Sequence, residues 1–124
     1  MTSRLKALAE TGQGVWLDFV DRGFLNEGGL NKLIDEDGLT GVTSNPSIFE
    51  KAIAHGDRYD EGLHEFLGRA DTSVVDAYES LAIVDIQAAA DILRPVYDRL
   101  DARDGYVSLE VSPYLAEATD DTIA

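Results

Sequence analysis

The stretch Gly41–Glu50 (GVTSNPSIFE) constrains the fold more than any other part of this chain. A short apolar run ends there in small polar residues and a helical pattern begins, which predicts a strand that runs directly into a helix. Pro46 biases Asn45 toward extended backbone. Ser47 with Glu50 three residues later matches a capping box, which leaves the Asn45 side chain free. Alternatively, Asn45 itself caps the helix and Pro46 takes its first position.

Helical and alternating patterns divide the rest of the chain. Strands are predicted over 15–20 and 106–111, where β-branched and aromatic residues gather or alternate. Apolar residues at helical spacing predict helices over 3–11, 28–37, 48–55, 57–69 and 73–100. Ser3 and Thr119 match helix caps, and Gly38 stands where a left-handed helix end favours glycine. The run 73–100 is long for a single helix, so we expect a break near Ala82 or a kink at Pro95.

This alternation of helices and strands predicts an α/β fold with parallel strands. Three strands do not complete such a fold, since a closed (β/α)₈ barrel takes ~250 residues. We therefore expect the N-terminal portion of a (β/α)₈ barrel, with strands one to three and their helices. Residues 1–124 contain no internal repeat, low-complexity tract or linker, which favours a single unit.

Charge and composition exclude several classes of partner. The 24 acidic and 10 basic residues give a formal charge of −14, which repels nucleic acid and anionic membrane surfaces. No apolar run approaches the ~18 residues of a membrane span, and the start of the chain lacks the apolar core of a secretory signal. The chain also has no cysteine. We therefore expect a cytoplasmic protein without nucleic-acid or membrane partners.

Each predicted strand carries a polar residue near its carboxyl end. Side chains alternate between the faces of a strand, so Asp18 shares a face with Trp16, and Glu110 shares one with Ser108. Asn45 continues the row of the central strand if that strand stays extended. Because the carboxyl ends of barrel strands surround the active site, this pattern predicts a convergent polar site. The alternative for either carboxylate is an edge charge or an ion-pair partner.

These same residues carry a resemblance to a known family. Gly41–Ser47 (GVTSNPS) resembles the transaldolase signature around the second barrel strand, while Trp16–Asp18 (WLD) and Ser108–Val111 (SLEV) resemble that family's first and third strands. The Asn-Pro-Ser-Ile-Phe run is most similar to bacterial transaldolases, a subset of which is fused to a phosphoglucose isomerase. The resemblance implies a (β/α)₈ barrel of the pentose phosphate pathway. It also implies transfer of a dihydroxyacetone unit between sugar phosphates through a lysine Schiff base, without metal or cofactor.

The resemblance assigns a role to each matching position. Asp18 is expected to exchange a proton with the C4 hydroxyl during carbon–carbon cleavage. Asn45 is expected to hold hydroxyls of the dihydroxyacetone unit, with Thr43 lining the same wall. Glu110 is expected to orient the water that shuttles protons while the carbinolamine forms and dehydrates. A positioned carboxylate contributes ~10²–10⁴-fold by proton transfer.

The chain departs from the family because it lacks both the phosphate-binding basic residues and the Schiff-base lysine. The family's Schiff-base lysine lies on the fourth strand, whereas Lys6, Lys32 and Lys51 all fall in predicted helices. We therefore expect the 124-residue chain alone to be inactive. Its open strand edges are expected to bind either the remaining part of the barrel or another copy of the chain. The competing hypothesis is a non-catalytic fragment or self-association module.

The two histidines do not indicate a metal site. His55 and His64 are nine residues apart, without the spacing that places two ligands on one helix face.

Overall fold

The computed structural model describes residues 3–55, 57–69 and 73–124. Within these residues the elements are, in chain order, α1 (Arg4–Glu10), β1 (Trp16–Asp18), α2 (Arg22–Asn26), α3 (Gly29–Asp37), β2 (Gly41–Ser44), α4 (Pro46–His55), α5 (Asp60–Leu67), α6 (Val74–Arg99), β3 (Tyr106–Leu109), a 3₁₀ turn (Pro113–Leu115) and α7 (Thr119–Ile123). The strands form one parallel sheet in the order β1-β2-β3. This confirms the predicted α/β class and strand direction.

Two predicted helix ends are confirmed in atomic detail. The Ser3 Oγ accepts a hydrogen bond from the Leu5 backbone N–H at 3.2 Å and so caps α1. Gly38 ends α3 with φ +70°, the left-handed conformation that glycine adopts without a steric penalty. The chain can therefore turn sharply from α3 into β2.

At the start of α4, the structure confirms the alternative in which Asn45 is the cap. Asn45 Oδ1 accepts from the Ile48 backbone N–H at 3.0 Å, and Pro46 is the first helical residue. The capping box at Ser47 is wrong because Ser47 already lies within the first turn. Since the chain turns into a helix at this point, β2 is only four residues long. Its neighbours can pair over no greater length, so β1 and β3 are shorter than predicted.

The remaining helices differ from prediction in three places. Helix α2, capped by Asp21, was not predicted. Helix α6 runs without a break from Val74 to Arg99, so the predicted break near Ala82 is wrong. Pro95 lies inside this helix, and the alternative of a kink there stays a prediction. Ala82 is buried in the core, and continuous packing along that side stabilises the whole helix. Thr119 is the first residue of α7 rather than its cap, and α7 has no side-chain cap.

The two faces of the sheet have different surroundings. Leu17, Val42 and Val107 are aligned across the three strands and pack into a core shared with the helices. The buried members of that core come from several elements: Val20, Leu25, Leu30, Leu39, Val42, Phe49, Ala82, Ala89, Leu93 and Val96. On the opposite face, which we call the inner face, Trp16 and Tyr106 are 41% and 47% exposed. Across the described ranges, no helix has the length and apolar character needed to cross a membrane.

A hydrogen-bonded cluster joins the amino ends of the three strands. Asp104, just before β3, accepts from Thr40 Oγ1 at 2.6 Å and from Trp16 Nε1 at 3.1 Å. The same carboxylate accepts from the Gly105 backbone N–H at 3.0 Å. The Trp16 indole lies directly over Gly41, where an added Cβ would stand 2.1 Å from a ring atom. Glycine at this position therefore lets the indole cross the inner face and reach Asp104.

Candidate active site

The carboxyl ends of β1 and β2 bring two of the predicted site residues into contact. Asp18, Thr43 and Ser108 are aligned across the three strands. Thr43 Oγ1 donates a hydrogen bond to Asp18 Oδ1 at 2.8 Å. Asp18 is exposed, and its Oδ2 makes no hydrogen bond within the described residues. One carboxylate oxygen is therefore held in place while the other is available to a ligand.

Asn45 directly follows β2 and has a structural role as well as a predicted one. Its side-chain oxygen caps α4. The side-chain NH₂ group makes no hydrogen bond within residues 3–55, 57–69 and 73–124, and Asn45 is only partly buried. Because the cap uses the acceptor and leaves both donors, the two roles do not compete.

Glu110 is the first residue after β3, and it is exposed. In the part of the chain that the structure describes, no hydrogen bond or ion pair joins it to Asp18, Thr43 or Asn45. It was predicted to lie within the third strand, which is wrong by one residue because β3 ends at Leu109. The structure thus places Glu110 at the same end of the sheet as Asp18 but does not bring the two side chains together.

The lysines and histidines lie on helices, as predicted. Lys6 is on α1 and donates to the Asp35 carbonyl, Lys32 is on α3 and Lys51 is on α4. None of the three described strands carries a lysine. His55 and His64 are both exposed, and the described residues contain no group of three or more His, Cys, Asp or Glu side chains arranged to hold a metal ion.

Sequence reasoning missed a buried polar cluster that joins α2, α6 and the segment just before α5. Asp85, on α6, is 1% exposed. Its Oδ1 accepts from Arg22 Nε at 2.8 Å, and its Oδ2 accepts from the Tyr59 hydroxyl at 2.5 Å. The Tyr59 oxygen in turn accepts from the Arg22 backbone N–H at 3.1 Å, and the Arg22 guanidinium carbon lies 4.5 Å from the centre of the Tyr59 ring. We call these three residues the Asp85 cluster.

The protonation state of the Tyr59 phenol follows from its burial. Burial raises the pKa of Tyr59 far above its ordinary value, and the neighbouring Asp85 carboxylate raises it further. The phenol therefore remains a hydrogen-bond donor throughout the physiological range. The carboxylate is compensated by a guanidinium and a hydroxyl, which a buried charge requires. A carboxylate on an otherwise apolar helix side is the signal that could have revealed this cluster from the sequence.

Parallel strands with helices on one face, and polar side chains at the carboxyl ends, define the chain as a portion of a (β/α)₈-barrel protein. The model of the transaldolase/fructose-6-phosphate aldolase family matches residues 15–124. The chain belongs to that family, which confirms the resemblance seen in the sequence.

Curated relatives support the same assignment over the whole chain. It is 48% identical over 124 residues to a transaldolase of Thermobifida fusca and 47% identical over 124 residues to transaldolase 2 of Streptomyces coelicolor; in both comparisons 100% of this chain and 33% of the relative are covered. A transaldolase of Thiobacillus denitrificans is 47% identical over 118 residues, which are 95% of this chain and 33% of the relative. The chain thus spans about a third of the length of the curated relatives it matches.

Proposed function

We propose that this chain supplies part of the active site of a transaldolase. In this reaction a dihydroxyacetone unit passes between sugar phosphates of the pentose phosphate pathway through a lysine Schiff base. The observation that carries the proposal is the hydrogen bond from Thr43 to Asp18 at the carboxyl ends of β1 and β2. Both strands lie within the residues that match the family model. The proposed Schiff-base lysine is the one that the family carries on its fourth barrel strand, and the helical positions of Lys6, Lys32 and Lys51 support assigning none of them to that role.

Asp18 is the proposed acid–base group. Cleavage of the bond between C3 and C4 turns the C4 hydroxyl into a carbonyl, so a base must remove that hydroxyl proton as the bond breaks. Asp18 Oδ2 is available for this step, while the bond from Thr43 holds Oδ1. The same group returns the proton when the unit joins an acceptor aldehyde. Thr43 therefore has a more definite role than lining a wall, since it orients the base.

Asn45 and Glu110 complete the part of the site on this chain. The Asn45 NH₂ group has two donors suited to hydroxyls of the dihydroxyacetone unit, and the cap on α4 fixes the amide that carries them. Glu110 is solvent-exposed, as a carboxylate that orients a water molecule must be. That water carries protons while the carbinolamine forms and loses water.

The inner face and the two outer strand edges are the proposed contact surface for the rest of the barrel. Within the described residues β1 and β3 each pair only with β2. Large apolar side chains are exposed nearby: Trp16 41%, Tyr106 47%, Leu109 42% and Val111 48%. Alone in the cytoplasm, its proposed location, the chain is expected to self-associate through these groups. Sedimentation equilibrium and a thermal melt test this expectation. A mass of 13.5 kDa at every concentration, together with a cooperative melt, would contradict it.

Borohydride trapping tests the proposed function. The complete transaldolase that carries these residues, incubated with fructose 6-phosphate and borohydride, should gain one reduced ketose-derived adduct by intact mass. The 124-residue chain under the same conditions should keep its mass of 13.5 kDa. A substrate-dependent adduct on Lys6, Lys32 or Lys51 would overturn the assignment of the lysine, and absence of any adduct on the complete protein would overturn the proposed function.

A further inference from the structure

The Asp85 cluster joins three separate parts of the chain. Arg22 is the first residue of α2, Tyr59 lies in the connection between α4 and α5, and Asp85 is in α6. All polar atoms at the centre are paired, since the described residues contain no buried side-chain nitrogen or oxygen without a partner. Removing one member of such a cluster leaves the others unpaired, so each fixes the position of the rest.

The cluster anchors the segment that immediately follows Asp18. Only residues 19–21 separate Asp18 from Arg22, whose backbone N–H is held by the Tyr59 hydroxyl. Val20 is 0% exposed, and Asp21 Oδ1 accepts from a backbone N–H of α2 at 2.9 Å. Four residues span at most ~14 Å, which limits how far the strand end can lie from the anchor.

Strand β1 has little else to fix its carboxyl end. It is three residues long, and among the described residues it pairs with β2 only. The Asp18 side chain has a single hydrogen bond, from Thr43. A strand of three residues forms few ladder hydrogen bonds, so the geometry of Asp18 also depends on what holds the chain just beyond it.

We propose that Arg22, Asp85 and Tyr59 are positioning residues that hold Asp18 at the distance needed for proton transfer. The inference rests on the proposed function of Asp18 and extends it to residues that touch no substrate. The cluster acts through the backbone of residues 19–22 and has no role in forming the Schiff base. Its loss should therefore affect the cleavage step selectively.

Tyr59→Phe in the complete transaldolase is the first test, because it removes one hydroxyl and keeps the ring. We expect kcat to fall about tenfold, since sub-ångström misplacement of a catalytic group is costly. KM and the rate of borohydride trapping should stay within about twofold. Tyr78→Phe is the matched control. That residue lies on α6 with its ring 6.1 Å from Phe49, and its hydroxyl has no hydrogen-bond partner within the described residues.

A double-mutant cycle separates positioning from general structural support. If Tyr59 acts through Asp18, Tyr59→Phe should cause no further loss of turnover in an Asp18→Ala background. Equal losses in both backgrounds would overturn the proposal. Should Tyr59→Phe fail to fold, Arg22→Lys enters the same cycle, because it keeps the charge beside Asp85 and loses the guanidinium geometry.

The outcomes distinguish the two proposals. Wild-type protein without transfer activity overturns the proposed function, whatever the variants do. Active wild type with equal kcat for Tyr59→Phe and Tyr78→Phe overturns positioning alone. Amide hydrogen exchange supplies a readout besides activity: exchange at residues 19–22 should be faster in Tyr59→Phe than in Tyr78→Phe, and equal rates would count against the anchor.

Discussion

Two threonine–aspartate pairs stand at opposite ends of β2, and they differ in how many partners the carboxylate has. At the amino end, Thr40 is 5% exposed and donates to Asp104, which also binds Trp16 and Gly105 and so links all three strands. At the carboxyl end, Thr43 donates to an exposed Asp18 that has no second donor within the described residues. The same pair of residue types therefore stabilises the sheet at one end and presents a carboxylate at the other. This matches the division of a barrel into a stability face and a catalytic face.

The largest expected effect comes from removing each carboxylate in turn. Asp18→Ala in the complete transaldolase should lower turnover ~10²–10⁴-fold, because it removes the proposed proton acceptor. The free energy of unfolding should change by less than about 0.5 kcal/mol, as for other exposed positions.

Asp104→Ala is the matched variant. It should retain most turnover and lower the free energy of unfolding by ~1–3 kcal/mol, since partly buried donors lose their acceptor. Steady-state kinetics, borohydride trapping and urea unfolding measure these quantities. Equal loss of Schiff-base formation and of turnover in Asp18→Ala would mean that Asp18 is structural.

Gly41→Ala tests the packing of Trp16 against Gly41 at the amino end of β2. Its Cβ would stand 2.1 Å from the Trp16 ring, so the indole must move away from Asp104. We expect a loss of about 2 kcal/mol in the free energy of unfolding, typical of overpacking. Gly68→Ala is the control, because there the nearest atoms are at ordinary contact distances of 3.5 Å and more. Urea denaturation that shows no difference between the two variants would contradict the close contact.

Exchanging each threonine for its isostere compares the pairs directly. Thr40→Val should lower the free energy of unfolding by about 1.5 kcal/mol, the magnitude of a hydrogen bond to a charged group. Thr43→Val should leave stability nearly unchanged and lower kcat about tenfold, because the base loses its orientation. Parallel unfolding and kinetic measurements on both variants decide the matter. If Thr40→Val and Thr43→Val changed stability and kcat equally, the proposed difference between the amino and carboxyl ends of β2 would be wrong.

The smallest expected effect is a change in the free energy of unfolding at alkaline pH. It concerns Tyr59 of the Asp85 cluster, which lies at neither end of β2. The pKa of Tyr59 is raised in the folded protein, so the unfolded chain loses the phenolic proton first, near pH 10. Stability from this group is complete below pH 10 and falls above it, by about 1 kcal/mol between pH 9 and 10.5.

Urea unfolding of wild type, Tyr59→Phe and Tyr78→Phe across that range measures the effect. Tyr78→Phe is included because burial also raises the pKa of Tyr78. The decline should be smaller in Tyr59→Phe than in wild type. An unchanged decline would show that the buried phenol does not control the alkaline limit.

The sequence was sufficient wherever local chemistry determines the conformation. A hydroxyl at Ser3 and a glycine at Gly38 fix helix ends through bonds within a few residues, and both predictions are confirmed. Strand parity likewise placed Trp16 and Asp18 on one face of the first strand, and the register of the sheet adds Thr43 to that face. The roles of the site residues stay predictions, since they depend on a substrate and on strands beyond these three.

Prediction failed where tertiary packing decides. Nothing local distinguishes Asn45 from Ser47 as the cap of α4, whereas the short β2 and the position of α4 do. The uninterrupted α6 is held by a core that brings together distant segments. The apolar side of α6 marks Asp85 as a carboxylate that could be buried, but its partners could not be identified because Arg22 and Tyr59 lie 63 and 26 residues away in sequence.

Trp16 gives this chain an internal optical reporter. It is the single tryptophan, its indole is 41% exposed on the inner face, and its N–H is bound to Asp104. Indole emission shifts to shorter wavelength when water is excluded from the ring. If the rest of the barrel covers the inner face, as proposed, the fluorescence of Trp16 would therefore report that contact without any label.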